Sequence, residues 1–173
     1  MLANKFIDSI DDSHQMTTNK EHIQQICDVI KDTNGTIVEL GSHAGISAAA
    51  IALSAPESKV FSIDLCDTIN EKTRINYWNS LGINNIIPKA CSAIDFLRSS
   101  GIEYDYIFHD AMHGSRAMNE YLLCAGLARR GLFIHDFEQL TTSEQNLIMS
   151  MFDNSRITFD TKGRALFIGL KQC

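Results

Sequence analysis

The sequence predicts an α/β fold with a mostly parallel, seven-stranded sheet, helices on both faces and an antiparallel hairpin at its C-terminal end. Five short apolar runs alternate with segments whose apolar residues recur at helical spacing, a pattern typical of parallel sheets covered on both sides. Two further strand-like runs follow, joined at Thr161 to Gly163, which indicates a hairpin. Because 173 residues is the size of one domain, we expect residues 1–173 to form a single domain.

The predicted elements follow one another without a long linker. Residues 1–34 are predicted to be helical and to cover the site, and residues 35–173 to form the core; the helix at 19–35 has a C-cap signal at Asn34-Gly35. The predicted strands are 36–41, 59–65, 85–91, 104–110, 132–137 and two within 156–170. The predicted helices between them are 46–55, 69–82, 93–101, 115–131 and 142–154. Pro88 favours an edge position for the third strand.

Composition excludes several classes of function. A net charge of -6 argues against a nucleic-acid backbone as the main partner. The N-terminus is too acidic for a secretory signal, and no apolar run approaches the roughly 20 residues that span a bilayer. Five scattered cysteines fit reduced thiols better than disulfides: Cys27, Cys66, Cys91, Cys124 and Cys173. We therefore expect a cytoplasmic protein that binds neither nucleic acid nor membrane.

The loop "ELGSHAG" after the first strand has two glycines, Gly41 and Gly45. In parallel sheets, ligands bind beyond the carboxyl ends of the strands, where this loop lies. It is neither G-x-G-x-x-G nor a P-loop. It contains Glu39 and neither lysine nor arginine, which suits an ammonium group better than a pyrophosphate. A tight turn without a ligand is the alternative.

Asp64, at the end of the second strand, lies roughly 20 residues beyond these glycines, where an acid can accept both ribose hydroxyls. The alternative is an acid at a helix N-terminus. Ser92 starts a helix after the third strand, and it either reaches an adenine edge or serves as a plain N-cap. Together these features predict a ligand that contains adenosine.

At this point the chain resembles class I S-adenosylmethionine-dependent methyltransferases, over residues from about 20 to the end. "VELGSHAG" is similar to the E-x-G-x-x-x-G loop of that family, and "FSIDL" to its strand-two acid. "YDYIFHDAMHGSRAM" is similar to the "IDGDHSYEAV"-type segment of small-molecule O-methyltransferases. The closing hairpin fits the same Rossmann-like fold. The resemblance implies S-adenosylmethionine as cofactor and a small-molecule acceptor.

The resemblance also assigns residues. Glu39 would bind the methionine ammonium, directly or through water, and Gly41 and Ser42 would offer backbone to the methionine portion. Gly45 would allow close packing, and Asp64 with Leu65 would hold the ribose. The remaining matches are Ser92 and Ala93 beside adenine, Asp110 and His113 after the fourth strand, and Asp136 after the fifth.

Two chemistries follow for the acceptor. Methyl transfer requires a positioned acceptor and removal of its proton, and His113, beside Asp110, is the candidate base because histidine titrates near neutral pH. Alternatively, Asp110 and Asp136 bind Mg²⁺, which would lower the pKa of a hydroxyl. The metal set departs from the family pattern at Met112 and Phe137.

Adjacent residues on a strand point to opposite faces. His109 and His135, next to the two aspartates, are therefore predicted to face helices. His43, in the glycine loop, either lines the acceptor side or, more simply, is exposed.

The predicted function is methyl transfer to a small hydroxylated acceptor, most simply O-methylation. A homodimer that completes the pocket is a further expectation. The segment "LIMSMF" either offers an apolar face to the partner or packs in the core. Two alternatives stay open: a non-catalytic protein of the same fold that binds cofactor or a partner, and a nucleotide-dependent oxidoreductase.

Overall fold

The sheet has seven strands, and the computed structural model describes residues 2–10, 19–65 and 71–172. The strands are β1 (Thr36–Leu40), β2 (Lys59–Asp64), β3 (Ile86–Ala90), β4 (Tyr104–His109), β5 (Ala128–His135), β6 (Asn154–Phe159) and β7 (Ala165–Leu170). Their order is β3-β2-β1-β4-β5-β7-β6. Strands β1 to β5 pair in parallel, and β7 pairs antiparallel with β5 and β6. This confirms the predicted sheet and hairpin, and Pro88 lies on the edge strand β3.

Helices cover both faces of this sheet. They are α1 (Leu2–Asp8), α2 (Lys20–Ile30), α3 (Ile46–Ser54), α4 (Glu71–Ser80), α5 (Ala93–Ser99), α6 (Met118–Leu127) and α7 (Thr142–Met149). One buried cluster joins the sheet to α5, α6 and α7, and another joins it to α2, α3 and α4. Burial of this apolar area is the main source of stability. The two-faced α/β fold follows from it.

Helix α2 packs against α3 and one face of the sheet. It begins after Asn19, whose side chain accepts a hydrogen bond from the backbone N–H of His22 at 2.9 Å. Its apolar face, with Ile23, Ile26 and Ile30, is buried. Residues 11–18, which the sequence predicts to be helical, lie outside the described residues.

Three predicted helix ends are wrong, and one of them belongs to the helix predicted over 142–154, which ends at Met149. The helix predicted to reach Gly35 ends at Ile30, and Asp32 rather than Gly35 has a positive φ, of 64°. Gly35 is needed for space instead, because a Cβ there would lie 2.0 Å from Asp105 Oδ2. The helix predicted to end at Gly131 ends at Leu127.

Residues from Ala128 onward belong to β5, because strand pairing overrides the local pattern there. Ala128 pairs with Tyr104, and after an irregularity Gly131 pairs with Tyr106. A Cβ on Gly131 would lie 2.9 Å from Leu170 Cδ2, so this glycine allows close packing within the sheet rather than capping a helix.

Among the helices that the structure describes, none combines the length and the apolar character that crossing a membrane requires. Cys27, Cys91 and Cys124 carry free thiols. Cys66 and Cys173 lie outside the described residues.

Candidate functional site

A cavity of about 550 Å³ lies at the carboxyl ends of the central parallel strands. It has the location that the α/β topology predicts for a ligand site. The predicted site residues that line it are Gly41, Ser42, Asp64, Leu65, Ser92, Ala93, Asp110, His113 and Asp136. Glu39 and Gly45 are not among the lining residues. The fold therefore brings together nearly all the candidates that are far apart in sequence.

The two loop glycines permit close approach of other segments. Gly41 has a φ of 90°, and a Cβ on it would lie 2.4 Å from the backbone oxygen of Asp110. Gly45 has a φ of 77°, and a Cβ on it would lie 2.6 Å from the Trp78 ring. Trp78 Nε1 donates a hydrogen bond to Gly45 O at 2.9 Å. Gly45 thus provides packing against α4, while Gly41 brings the loop after β1 against the loop after β4.

Arg74 forms hydrogen bonds to the glycine loop, and the sequence does not predict this contact. Its Nη1 donates to Ser42 Oγ and to His43 O, both at 3.2 Å, and the residue is only 2% exposed. Helical periodicity could not reveal this contact, because Arg74 lies 32 residues from Ser42 in sequence.

Asp64 is fixed at the end of β2 by the same loop. Its Oδ2 accepts a hydrogen bond from the His43 backbone N–H at 2.6 Å. The acid in the first turn of the next helix is Glu71, not Asp64. Asp64 therefore lies at the cavity wall rather than at a helix N-terminus.

Ser92 is the N-cap residue of α5, but its side chain makes no capping hydrogen bond. The plain N-cap interpretation of its hydroxyl is thus not supported. Ser92 and Ala93 instead form part of the cavity wall beyond β3.

Glu39 is completely buried beneath the loop. Burial raises its pKa to about 8, although the nearby hydroxyls of Ser47 and Ser62 oppose part of this effect. Ser62 Oγ donates to Glu39 Oε2 at 3.4 Å, and Glu39 Oε1 has no hydrogen-bond partner in the described part of the chain. An unsatisfied buried carboxylate oxygen is the acceptor that an ammonium group needs, so this residue fits the methionine end of the predicted cofactor.

Two aspartates and two histidines form a polar cluster at the ends of β4 and β5. His135 Nδ1 donates to Asp110 Oδ1 at 3.0 Å and lies 3.3 Å from Asp136 Oδ1. His113 Nε2 is 3.8 Å from Asp110 Oδ1, and its Nδ1 is 3.7 Å from Asp136 Oδ2. Asp136 adopts a left-handed conformation with φ 54°, an uncommon backbone geometry that is often found at functional sites.

Both strand-end histidines contact a helix, as predicted. His109 is buried and contacts α6, where its Nε2 lies 2.9 Å from Glu120 Oε2. The ring of His135 packs against that of His22 on α2, but His135 also lines the cavity and bonds Asp110, which the prediction did not include. Burial alone would lower the pKa of His135, but the hydrogen bond and the charges of Asp110 and Asp136 outweigh burial and raise it.

His22 extends this cluster from α2. Its ring meets the His135 ring edge-on, with 5.4 Å between centroids. The residue is completely buried, and neither ring nitrogen has a hydrogen-bond partner among the described residues. Burial, followed by the neighbouring His135, lowers the pKa of His22 to about 4. His22 is therefore neutral near pH 7.

We expect acid to destabilise the protein through His22. An unfolded histidine binds its proton near pH 6.5 and the folded one only near pH 4, so the free energy of unfolding should fall as pH drops between these values, by at most about 3 kcal/mol. The H22L variant, which loses no hydrogen bond of the ring, should show a flatter dependence. Thermal unfolding from pH 4.5 to 7.5 measures this. H43N is the matched control and should keep the wild-type slope; an unchanged slope in H22L would contradict the assignment.

The cluster was tested for a divalent metal site. Mg²⁺ requires near-octahedral oxygen ligands. Here the Nδ1–H of His135 lies between oxygens of Asp110 and Asp136, where a shared cation would bind. Within residues 2–10, 19–65 and 71–172, no group of three or more His, Cys, Asp or Glu side chains could hold a metal ion. The two carboxylates here are bridged by His135, and Mg²⁺ bound by Asp110 and Asp136 stays a prediction.

Comparisons with known proteins support the fold. No protein-family model and no curated protein sequence matches the chain. An O-methyltransferase from Bacillus cereus in complex with S-adenosylhomocysteine aligns at 12% identity and a TM-score of 0.71, over 99% of this chain and 90% of that chain. The chain thus has the Rossmann-like fold of class I S-adenosylmethionine-dependent methyltransferases, as the sequence predicts.

Two other structures show the breadth of this likeness. An O-methyltransferase from Streptomyces achromogenes involved in tomaymycin synthesis, in complex with S-adenosylmethionine, aligns at 15% identity and a TM-score of 0.68, over 99% of this chain and 90% of that chain. Precorrin-6y C5,15-methyltransferase from Geobacter metallireducens aligns at 8% identity and a TM-score of 0.68, over 95% of both chains. Because these neighbours differ in what they methylate, the fold does not define the acceptor.

Proposed function

We propose that the protein is a cytoplasmic S-adenosylmethionine-dependent methyltransferase that methylates a hydroxyl group of a small acceptor. Residues 1–173 would act as one domain, with helices in residues 1–34 covering the site. The observation that supports this proposal is one cavity that is lined both by Asp64 and Ser92, at β2 and after β3, and by Asp110 and His113, after β4. Such an arrangement places a candidate base beside a candidate adenosine site.

The cofactor half is built from three strand ends. S-adenosylmethionine, when bound, supplies an electrophilic methyl group. Asp64 would accept the ribose hydroxyls, with Leu65 beside it, and Ser92 and Ala93 would border adenine. The backbone of Gly41 and Ser42 would contact the methionine portion, and Glu39 would accept from its ammonium group.

In the acceptor half, His113 would remove the hydroxyl proton. Asp110 Oδ1 lies 3.8 Å from His113 Nε2, and Asp136 Oδ2 lies 3.7 Å from His113 Nδ1. They would stabilise the imidazolium that forms. The bond from His135 keeps Asp110 in place, so the role of Asp110 is to hold and orient His113.

The part of the cavity that would bind the acceptor would be closed by α2 or by a second copy of the chain. Ile23 of α2 already lines the cavity. Leu147 and Met151 are exposed, which leaves a homodimer as a proposal for light scattering to test. Met149, in contrast, packs against the core.

Calorimetric titration with S-adenosylhomocysteine tests the cofactor assignment. We expect saturable one-site binding by the wild type, and a Kd roughly 10- to 100-fold higher for D64A, because hydrogen bonds to a carboxylate contribute about 1.5–3 kcal/mol. The matched control is E57A, an exposed acid outside the cavity lining. Circular dichroism would show that D64A is folded.

The other outcomes separate the alternatives. Preference for NAD would favour an oxidoreductase, and binding without turnover of any hydroxylated acceptor would favour a non-catalytic protein. Loss of turnover on adding a chelator would favour the Mg²⁺ alternative with Asp110 and Asp136 as ligands. Absence of S-adenosylhomocysteine binding would remove the methyltransferase proposal.

A further inference from the structure

One wall of the cavity is apolar and contains a single carboxylate, that of Glu120. Ile63 near the end of β2, Cys91 after β3 and Ala93 at the start of α5 line the cavity, and all three belong to or pack against the buried cluster beneath α5 and α6. Glu120, in the first turn of α6, lines the same cavity. Because α5 and α6 cover the same face of the sheet, Glu120 lies on the same side of the cavity as these apolar residues.

His109 fixes the orientation of Glu120. His109 is completely buried at the end of β4, and its Nε2 donates to Glu120 Oε2 at 2.9 Å. The side chain of Glu120 is only 13% exposed, so its carboxylate faces inward rather than into bulk solvent. The next residue, Tyr121, donates from its hydroxyl to Met112 O at 2.9 Å, which ties this turn of α6 to the loop after β4. The carboxylate is thus preorganised for a ligand.

The bond from His109 leaves Glu120 able to accept from a ligand. An ionised carboxylate has about four acceptor sites on its two oxygens, and the hydrogen bond to Oε2 occupies one of them. The alternative role for an acid in the first turn of a helix is to stabilise the helix N-terminus. An exposed side chain performs that role equally well, so it explains neither the buried partner of Glu120 nor its place in the cavity wall.

An apolar wall that contains a carboxylate suits a flat ring with an amino group on its edge. The ring would be buried against Ile63, Cys91 and Ala93, and its amino group would donate to Glu120. Adenine has this chemistry, because its exocyclic amino group at C6 is a hydrogen-bond donor. Hypoxanthine, the base of inosine, has an oxygen at C6 instead, and two acceptors would then face each other.

We propose that Glu120 accepts a hydrogen bond from the adenine amino group of the cofactor and makes the site selective for adenosine over inosine derivatives. This inference rests on the proposed function, because it takes S-adenosylmethionine as the ligand. It adds a residue from α6 to a cofactor site otherwise assigned to residues at the ends of the parallel strands. His109 is a positioning residue, which acts on the ligand only through Glu120.

Calorimetric titration with S-adenosylhomocysteine and with S-inosylhomocysteine tests this selectivity. The two ligands differ in the base alone, at C6 and in the proton that N1 carries in inosine. The wild type should bind the inosine compound at least about tenfold more weakly. In E120Q the amide oxygen would accept from His109 and the NH₂ group would face the ligand, where it can donate to the C6 oxygen. The ratio of the two Kd values should therefore fall to about one or below.

Further variants separate recognition from a general effect of charge or packing. The matched control is D95N, because Asp95 is an acid in the first turn of α5 that is exposed and outside the cavity lining. It should keep the wild-type ratio of Kd values. H109F removes the donor to Glu120 and should narrow the ratio, whereas H109Q, whose amide can donate in its place, should restore part of it. Circular dichroism would show that each variant is folded.

Three results would overturn the inference. They are equal binding of the two ligands by the wild type, an unchanged ratio of Kd values in folded E120Q, and a change in D95N as large as that in E120Q. The first result needs no variant, and it would leave the methyltransferase proposal standing because S-adenosylhomocysteine still binds. Failure of the wild type to bind either ligand would instead remove the methyltransferase proposal and this inference with it.

Discussion

Replacing His113 with glutamine should lower kcat for methyl transfer by about 10²- to 10⁴-fold, the range that a general base contributes. Glutamine keeps the approximate size of the side chain but cannot accept and carry away a proton. The Kd for S-adenosylhomocysteine should be nearly unchanged, because most of the residues that would bind it follow β1, β2 and β3, whereas His113 follows β4. Turnover is measured as release of S-adenosylhomocysteine with a hydroxylated acceptor.

His135 provides the matched comparison, since it lies in the same cluster. In H135Q the amide can still donate to Asp110, so kcat should fall less than in H113Q. A larger loss in H135Q, with H113Q near wild type, would show that His135 is the base and that the His113 assignment is wrong.

Glu39 is expected to release a proton when the cofactor binds. With a pKa of about 8 in the ligand-free protein, it is protonated at pH 7, and pairing with an ammonium group requires the charged form. Calorimetry at pH 7 in phosphate and in Tris, which differ in ionisation enthalpy, should show release of close to one proton. E39Q should release none and bind S-adenosylhomocysteine about 10- to 100-fold more weakly.

Glu39 should also make the ligand-free protein less stable as pH rises. The pKa of Glu39 is raised on folding, so its contribution to stability is complete below about pH 4 and is lost as pH rises through about 8. Wild type should therefore lose roughly 2–4 kcal/mol across this range relative to E39Q. The control is E57Q. If the stability of wild type and of E39Q depended on pH equally, Glu39 would not be the residue whose titration destabilises the protein.

Much of the fold could be predicted because strand and helix differ in period and in the residues that end them. Strands β1 to β5, the hairpin and the edge position of Pro88 all follow from such local patterns. The end of α6 at Leu127 did not, because "ARRG" continues as a helix in isolation. Its place in β5 is decided by pairing with Tyr104 and by the lack of space at Gly131, which are tertiary effects.

The candidate site was predictable for a related reason. Parallel strands place their carboxyl ends together, so Asp64, Asp110 and Asp136 could be grouped without knowledge of their distances. Residues supplied by other elements could not. Arg74 and His22 lie on helices, and nothing in their local spacing indicates that they face the loop or His135. The hydrogen bond of His135 to Asp110 joins residues 25 positions apart, so local spacing does not reveal it.

The missing side chain at Gly41 has a consequence for how such a site can diversify. With Gly41 in contact with the Asp110 carbonyl, the two loops are held at a separation set by the pairing of neighbouring strands rather than by side chains. Under the proposed function, exchanges at Met112 would alter which molecules are accepted, while the distance from the methyl donor to His113 would stay constant. Selectivity and transfer distance would then be set by separate parts of the chain.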